Sequence, residues 1–277
     1  MIWLKSLNNR TKEDVYPERN AFSKAWCVFG PVIAYYLVDT LIVKLCAMLI
    51  KNVALSNSTF AIFCEEKSSL VSVMVKLLAM ICGTCILIPM LYKEKLVIYR
   101  KKEQAENYIL VAILGVAAAL FFNLLFSMVG FTEKSESYSQ VAQKQFSLPL
   151  LIGILMYGIV TPIVEELIFR GLVYNRLARN YNIILAIGGS AALFGFYHGN
   201  IVQAIYGIIM GLLLAIVYEK YGSFVYPVIL HGVANTWIYL CMSVDLLKKY
   251  ILNIASLVIA GIIMIISFGI MWRAKND

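Results

Sequence analysis

Apolar runs alternate with short polar segments along most of this chain. A run of about 20 apolar residues is long enough to cross the hydrocarbon core of a bilayer as a helix. The pattern therefore predicts an all-α fold, a polytopic membrane bundle of about eight transmembrane helices. The predicted helices are residues 25–50, 69–92, 108–131, 148–177, 183–198, 201–218, 224–242 and 251–272.

The connections between these helices also carry information. Gly199 and Asn200 separate the short fifth helix from the sixth, which predicts a tight hairpin. Gly207 and Gly211 form a G-x-x-x-G on the sixth helix, a spacing that lets two helices approach closely. The polar stretch TEKSESYSQVAQKQFS, between the third and fourth helices, is predicted to be an outer loop.

The composition supports a membrane protein and argues against a soluble domain. Hydrophobic residues make up 61% of the chain and charged residues 14%, whereas about a quarter of the residues in a soluble domain are charged. The net charge of +8 therefore concerns membrane orientation and lipid headgroups. Membrane lipid is an expected partner, and nucleic acid is not. The first helix is expected to be an uncleaved anchor, because no apolar core of a signal peptide precedes it.

The positive charges divide unequally between the two predicted faces. If the N-terminus is cytoplasmic, fifteen Lys and Arg lie in inner segments and six in outer loops. The inner set is Lys5, Arg10, Lys12, Arg19, Lys24, Lys93, Lys95, Arg100, Lys101, Lys102, Arg176, Arg179, Lys220, Arg273 and Lys275, and the outer set is Lys51, Lys67, Lys134, Lys144, Lys248 and Lys249. Cytoplasmic segments carry an excess of Lys and Arg, so both termini are predicted to be cytoplasmic.

Ionisable residues gather in the fourth helix, within TPIVEELIFRG. Glu165 and Glu166 are adjacent, so they point about 100° apart on a helix. Glu166 and Arg170 are four residues apart, which is the spacing of an ion pair on one helix face. This pairing would leave Glu165 facing the interior of the bundle. Pro162 just before them removes a backbone hydrogen bond and is expected to kink the helix.

The chain has two histidines, and both lie in later apolar segments. His198 follows Phe194 by four residues, and His231 precedes Asn235 by four, so each pair projects from one helix face. A rise of ~1.5 Å per residue brings these histidines, Asn235 and Glu165 to a similar depth, nearer the cytoplasmic half. Because ionisable groups within a membrane are costly unless they are paired or functional, this convergence favours a shared site.

Each of these residues also has a structural interpretation. A membrane histidine is often hydrogen-bonded to a neighbouring helix, the Glu166–Arg170 pair is more typical of a structural contact than of a catalytic group, and Phe194 is expected to pack and support the site. Asp39, Lys44 and Lys76 are expected to form local pairs or to extend towards the interface. Gly195, Gly199 and Gly232 are expected to leave space beside the histidines for a substrate backbone or a water.

Three motifs follow one another on the late helices: E-E-x-x-x-R (Glu165, Glu166, Arg170), F-x-x-x-H (Phe194, His198) and H-x-x-x-N (His231, Asn235). In this order they resemble the CPBP family, the CAAX-processing and bacteriocin-immunity intramembrane endopeptidases, which include the Ras-converting prenyl-protein proteases. The resemblance covers residues 148–240. The short spacing between the two histidines is more similar to the bacterial branch of the family, so a bacterial plasma membrane is the expected location.

The resemblance implies an eight-helix fold with a cavity open to the cytosol. It implies that Glu165 is the general base that activates a water and that His198 helps to hold this water. His231 and Asn235 would stabilise the oxyanion, with Glu166 and Arg170 orienting them. The chain then divides into a cytoplasmic segment 1–24, N-terminal transmembrane helices 25–131, a CPBP-like catalytic core 148–242, and a last helix with a cytoplasmic tail, 251–277.

No cofactor is favoured, and zinc is the alternative. Two histidines and one glutamate suit a catalytic zinc with an open water position, and its ligands would be Glu165, His198 and His231. The local H-E-x-x-H signature is lacking. His231 and Asn235 form a natural pair of oxyanion donors, which favours a metal-independent mechanism.

The function predicted is that of an intramembrane endopeptidase. It would hydrolyse a peptide bond of a membrane-associated or lipidated protein or peptide with a water activated by Glu and His. The substrate would be a prenylated protein or a bacteriocin-like or signalling peptide. Two other classes stay open: a non-catalytic membrane scaffold or bacteriocin-immunity-type protein that acts by binding a partner, and a transporter with a Glu/His proton relay.

Overall fold

A computed structural model describes residues 20–94 and 105–274 of the chain. Within these residues the fold is all-α, as predicted, and seven helices are long and apolar enough to cross a membrane. The shorter apolar helix Ile183–Tyr197 is the eighth. The chain is therefore an integral membrane protein with an all-α polytopic bundle. Residues 1–19 of the predicted N-terminal segment and 275–277 of the predicted tail lie outside the described residues.

The helices are numbered in chain order over the described residues. They are α1 Ala21–Ser56, α2 Ser58–Glu66, α3 Ser68–Lys93, α4 Ala105–Met128, α5 Glu136–Phe146, α6 Leu150–Asn180, α7 Ile183–Tyr197, α8 Ile201–Tyr221, α9 Val225–Ser243, α10 Asp245–Ile251 and α11 Ile254–Arg273. The predicted membrane helices correspond to α1, α3, α4, α6, α7, α8, α9 and α11. The short helices α2, α5 and α10 were not predicted.

Helix α5 lies in the polar segment that was predicted to be a loop. Ser135 caps its N-terminus by accepting a hydrogen bond from the Tyr138 amide. The less exposed positions Tyr138, Ala142 and Gln145 follow one another at helical spacing, so α5 has a face that it can turn towards the bundle. The sequence did not predict α5 because most of the other residues of this helix are polar and exposed, so its apolar periodicity is weak.

Helix α6 organises the bundle because it contacts helices on several sides. It packs against α9 with its first half and against α1, α3 and α7 with its second half. Around it, α1 packs on α3, α4 lies between α9 and α11, and α7 pairs with α8. The residues that carry the predicted chemistry on α6 therefore face α7 and α9, which carry the two histidines.

The hairpin of α7 and α8 is built on small residues. Gly199, at the turn, has a φ of +77°, and Asn200 caps α8 through a hydrogen bond from the Gln203 amide. A Cβ on Gly207 would lie 2.9 Å from the Cα of Gly195, so the two backbones are in direct contact here. The predicted hairpin and the close approach at G-x-x-x-G are both confirmed.

The end of the bundle at which α1 begins and α3 ends is held by a polar cluster, the Glu94 cluster. Its members are Glu94, Arg176 and Arg179: Arg176 Nε donates to Glu94 Oε1 at 2.7 Å, and Arg179 Nη1 donates to Glu94 Oε2 at 2.7 Å. Arg176 also donates to the Cys27 carbonyl at 2.8 Å. These contacts tie α1, α3 and α6 together at this end.

Candidate intramembrane active site

Helix α6 departs from α-helical geometry on both sides of its two glutamates. Residues Ile154–Val160 and Leu167–Tyr174 are π-helical, and the Thr161 amide bonds to Met156, five residues back. The next amide in this pattern would bond to Tyr157, but residue 162 is proline and has no N–H. Asn235 Nδ2 donates to the Tyr157 carbonyl at 3.1 Å instead. The proline thus leaves a carbonyl that fixes Asn235 of α9.

Glu166 and Arg170 form the predicted ion pair, and both are completely buried. Arg170 Nη1 donates to Glu166 Oε1 at 3.0 Å, and Arg170 Nη2 donates to the Gly211 carbonyl of α8 at 2.9 Å. The charge on each residue is therefore compensated away from water, as buried charges require. The prediction that these two residues pair with each other is confirmed.

The Glu166–Arg170 pair also holds His231. His231 Nδ1 lies 2.9 Å from Glu166 Oε1, and because a carboxylate accepts, Nδ1–H is the donor. The other ring nitrogen, Nε2, lies 3.7 Å from Glu165 Oε2, which is longer than a hydrogen bond. His231 is thus oriented by one carboxylate and presents its second nitrogen beside the other.

His198 lies at the end of α7, with its ring fixed by its own backbone. Its Nδ1 is 2.9 Å from the Phe194 carbonyl. A carbonyl only accepts, so Nδ1 carries the hydrogen and a neutral ring keeps a lone pair on Nε2. Phe194 packs edge-on against His198 and His231, with ring centroids 5.0 and 5.6 Å away, and the Arg170 guanidinium lies 4.9 Å from its ring centroid. Phe194 therefore packs against both histidine rings, and its role in supporting a catalytic site stays a prediction.

Glu165, His198, His231 and Asn235 all line one cavity of about 430 Å³. Glu165 is 7% exposed, so its carboxylate faces this cavity rather than the lipid. The four residues come from α6, α7 and α9 and are far apart in the sequence. Their predicted convergence around a single space is therefore confirmed.

The cavity also includes residues that the sequence did not assign to a site. Lys76 of α3 donates to both oxygens of Asp39 of α1, at 2.9 and 2.8 Å, and both residues line the cavity with Tyr197. Tyr197 and Tyr35 interact through a side-chain hydrogen bond. Of the two alternatives expected for these residues, a local pair or an extension towards the interface, the structure shows a pair; their presence in the cavity was not predicted. The sequence did contain a signal for this part of the cavity, because charged residues within otherwise apolar membrane helices often line a functional site.

Two glycines have a different role from the one expected. A Cβ on Gly232 would lie 2.7 Å from the Gly158 carbonyl, and a Cβ on Gly195 would press against the Ala204 carbonyl. The space beside the histidines at these positions is therefore filled by neighbouring helices, α6 and α8, and not left to a substrate.

The zinc alternative names Glu165, His198 and His231 as ligands. In residues 20–94 and 105–274, no three or more His, Cys, Asp or Glu side chains are arranged to hold a metal ion. His198 Nδ1 is engaged with a carbonyl, and His231 Nδ1 with Glu166, so the Nε2 of each ring is the nitrogen directed to the cavity, as in histidines that bind a metal. Zinc binding by Glu165, His198 and His231 therefore stays a prediction.

Comparisons with known proteins agree with the three motifs. Residues 147–237 match a family described as type II CAAX prenyl endopeptidase Rce1-like. This segment contains every motif residue and the helices that bring them together. Residues 147–237 are thus similar to the CPBP family that the three motifs indicate. The match ends within α9, and α1, α3 and α4 lie outside it.

A similar protein comes from Bacillus subtilis (strain 168) and is named "Putative membrane peptidase YdiL". It is 26% identical over 156 residues, which are 54% of this chain. The chain spans 63% of the length of that relative. No solved structure matches the chain.

Proposed function

We propose that this protein is an intramembrane endopeptidase that hydrolyses a peptide bond of a membrane-associated protein or peptide. One observation carries the proposal: Glu165, His198, His231 and Asn235 line one cavity, in which His231 is oriented by the buried Glu166–Arg170 pair. A protein that used this region only for packing would have no need for a cavity lined with a carboxylate, two imidazoles and an amide.

Glu165 is the proposed general base. A water between its carboxylate and the neighbouring rings would donate one hydrogen to Glu165 and another to the free Nε2 of His198. As the water oxygen attacks the substrate carbonyl carbon, the proton passes to Glu165. General base catalysis of this kind contributes ~10²–10⁴-fold to a rate. The separation of 3.7 Å between Glu165 Oε2 and His231 Nε2 leaves Glu165 without a direct hydrogen bond to His231.

His231 and Asn235 are the proposed donors to the oxyanion that forms on the substrate. His231 with hydrogen on both nitrogens would donate to Glu166 through Nδ1 and to the oxyanion through Nε2. The Asn235 amide has a second N–H besides the one given to the Tyr157 carbonyl. The C–N bond of the intermediate then breaks, and Glu165 returns its proton to the leaving amine. Each fixed donor is worth ~3–4 kcal/mol in the transition state.

The central test is a comparison of membrane peptides by mass spectrometry. Cells that contain the parent protein should yield cleavage products that are lost with Glu165→Gln, which keeps the shape of the side chain but cannot accept a proton as a base. Glu136→Gln, on the exposed helix α5, is the matched control and should preserve the products. Identical products from the parent and Glu165→Gln would refute the proposal and favour a scaffold that acts by binding.

Metal dependence provides a second test, since the proposed reaction needs no metal. Purified protein that is dialysed against a chelator should keep its rate on the peptide identified above to within about twofold. Added zinc should not raise the rate. A loss of activity that zinc restores would contradict the metal-independent mechanism while leaving the peptidase assignment intact.

A further inference from the structure

The cavity that holds Glu165 extends towards one end of the bundle. Besides the site residues, it is lined by Thr132, Tyr138, Ala142, Gln145 and Gln203. These residues belong to the connection between α4 and α6, which contains α5, and to the start of α8. We name this end, at which α1 ends and α8 begins, the cavity end. Helix α5 covers part of the opening with its less exposed face.

The opposite end, where α1 begins, is closed. Within the described residues, nothing between 166 and 193 lines the cavity, nor does any residue between 215 and 230. Between the site and the closed end lie the buried Glu166–Arg170 pair and two fully buried residues, Phe169 and Leu172. The Glu94 cluster and the hydrogen bond from Lys220 to the Ala274 carbonyl then hold the helix ends together.

The distribution of charge assigns these two ends to the two sides of a membrane. The sequence predicts fifteen Lys and Arg in the segments on the side of the N-terminus, which is the side where α1 begins, and six in the loops on the other side. The fifteen include Arg176, Arg179 and Lys220 of the closed end. Lys and Arg are enriched on the cytoplasmic side, so the closed end is cytoplasmic. The family resemblance implied the reverse, a cavity open to the cytosol.

We propose that the substrate reaches Glu165 from the side opposite the cytosol, and that it is a polypeptide segment exposed on the outer face of the membrane. The proposal rests on the peptidase function above and names its substrate class. The polar lining of the cavity at Gln145, Gln203 and the Asp39–Lys76 pair suits a peptide backbone, which carries hydrogen-bonding groups at every residue. A prenylated protein on the cytosolic face would meet the closed end instead.

The first experiment measures the side of the cavity independently of activity. Gln145→Cys places a thiol at the cavity end, and Tyr181→Cys, at an exposed position, places one at the closed end. Both are made in a background in which the six native cysteines are replaced by Ser or Ala. Spheroplasts of a bacterial expression host are treated with a membrane-impermeant maleimide. Gln145→Cys should be labelled in intact spheroplasts, and Tyr181→Cys only after permeabilisation.

The reverse labelling pattern would overturn the proposal without affecting the peptidase assignment. If the cysteine-free background does not fold, the same two variants are made in the natural chain. The comparison is then the increase in maleimide label of each variant over the parent protein. The second experiment maps the cleavage sites lost with Glu165→Gln, which should lie in segments on the outer side. Sites in cytosolic segments would overturn the proposal, whereas products that persist in Glu165→Gln would contradict the peptidase function itself.

Discussion

Arg170 is the residue on which the arrangement of the site most directly depends. It is fully buried, pairs with Glu166 and donates to the Gly211 carbonyl of α8. Through Glu166 it also fixes the ring of His231. A guanidinium suits this position because it has several donors in a rigid planar group and retains its charge when buried. Lysine, with a compact and strongly hydrated charge, would not make the same set of contacts.

Removal of Arg170 should destabilise the protein because it leaves the charge of Glu166 buried without a partner. Arg170→Met should lower the free energy of unfolding by ~3–5 kcal/mol, measured as thermal unfolding in detergent micelles. The double variant Glu166→Gln/Arg170→Met removes both charges and keeps an acceptor for His231, so it should recover most of this loss. An Arg170→Met variant as stable as the parent would contradict this account of the pair.

Asn235 should contribute more to the rate of peptide cleavage than to the stability of the fold. Asn235→Ala removes a proposed oxyanion donor and leaves the Tyr157 carbonyl without its partner, so kcat should fall by ~10²–10³-fold. Asn123→Ala is the matched control: Asn123 lines the same cavity but donates to a carbonyl of its own helix, that of Ala119. Steady-state kinetics should separate the two variants, and equal losses would argue against oxyanion stabilisation by Asn235.

At the scale of whole helices, the contact between α7 and α8 sets the position of His198. Gly207 faces the Cα of Gly195 at a distance that excludes a side chain, and a Cβ there would also lie 3.6 Å from His198 Nδ1. Close-packed backbones of this kind are stabilised by dispersion contacts over the whole interface. A small change at the interface therefore moves an imidazole of the site.

Gly207→Ala should separate α7 from α8, lower stability by ~1–3 kcal/mol and reduce cleavage. Gly188→Ala is the control on α7, since a Cβ there meets no atom within 4 Å. It should be neutral or stabilise the helix by ~0.5–1 kcal/mol. Thermal unfolding and peptide turnover measured on both variants test the expectation, and a Gly207→Ala protein with parental activity would contradict it.

The sequence predicted the elements well where a periodic or compositional signal exists. Long apolar runs located the eight membrane helices, and Gly199-Asn200 located the hairpin. The π-helical geometry of α6 was not predictable, because residues 154–160 have an ordinary helical composition and Pro162 indicated only a kink. Helix α5 was missed because its apolar positions are few and its length is short.

At the scale of the whole molecule, residues from two parts of the chain line the cavity: the segment that matches the Rce1-like family, and helices that lie outside this segment. Asp39 and Lys76, from α1 and α3, line the same space as Glu165. The proposed site residues were predictable because each motif is local in sequence. The contribution of α1 and α3 was not, because no pattern connects residue 39 with residue 76 or either of them with the fourth membrane helix.

The Asp39–Lys76 pair should affect substrate selection rather than the chemical step. The double variant Asp39→Leu/Lys76→Met removes both charges from the cavity, so it should lower kcat/KM for the identified peptide by about tenfold, or ~1.4 kcal/mol. Stability should be retained, because the Lys76 side chain is 42% exposed and partly exposed ion pairs contribute little to stability. Lys44→Met, outside the cavity lining, is the control. Unchanged selectivity among peptides in the double variant would contradict this role.

The position of Glu166 and Arg170 on a single helix has a consequence for biogenesis. A charged residue at the centre of a membrane helix adds ~2.5–3.5 kcal/mol to the cost of its transfer from the translocon. Partners on different helices can offset this cost only after both helices have arrived. Partners one turn apart, as in α6, can neutralise each other in the nascent segment, so α6 can enter the lipid before α7, α8 and α9 have been synthesised.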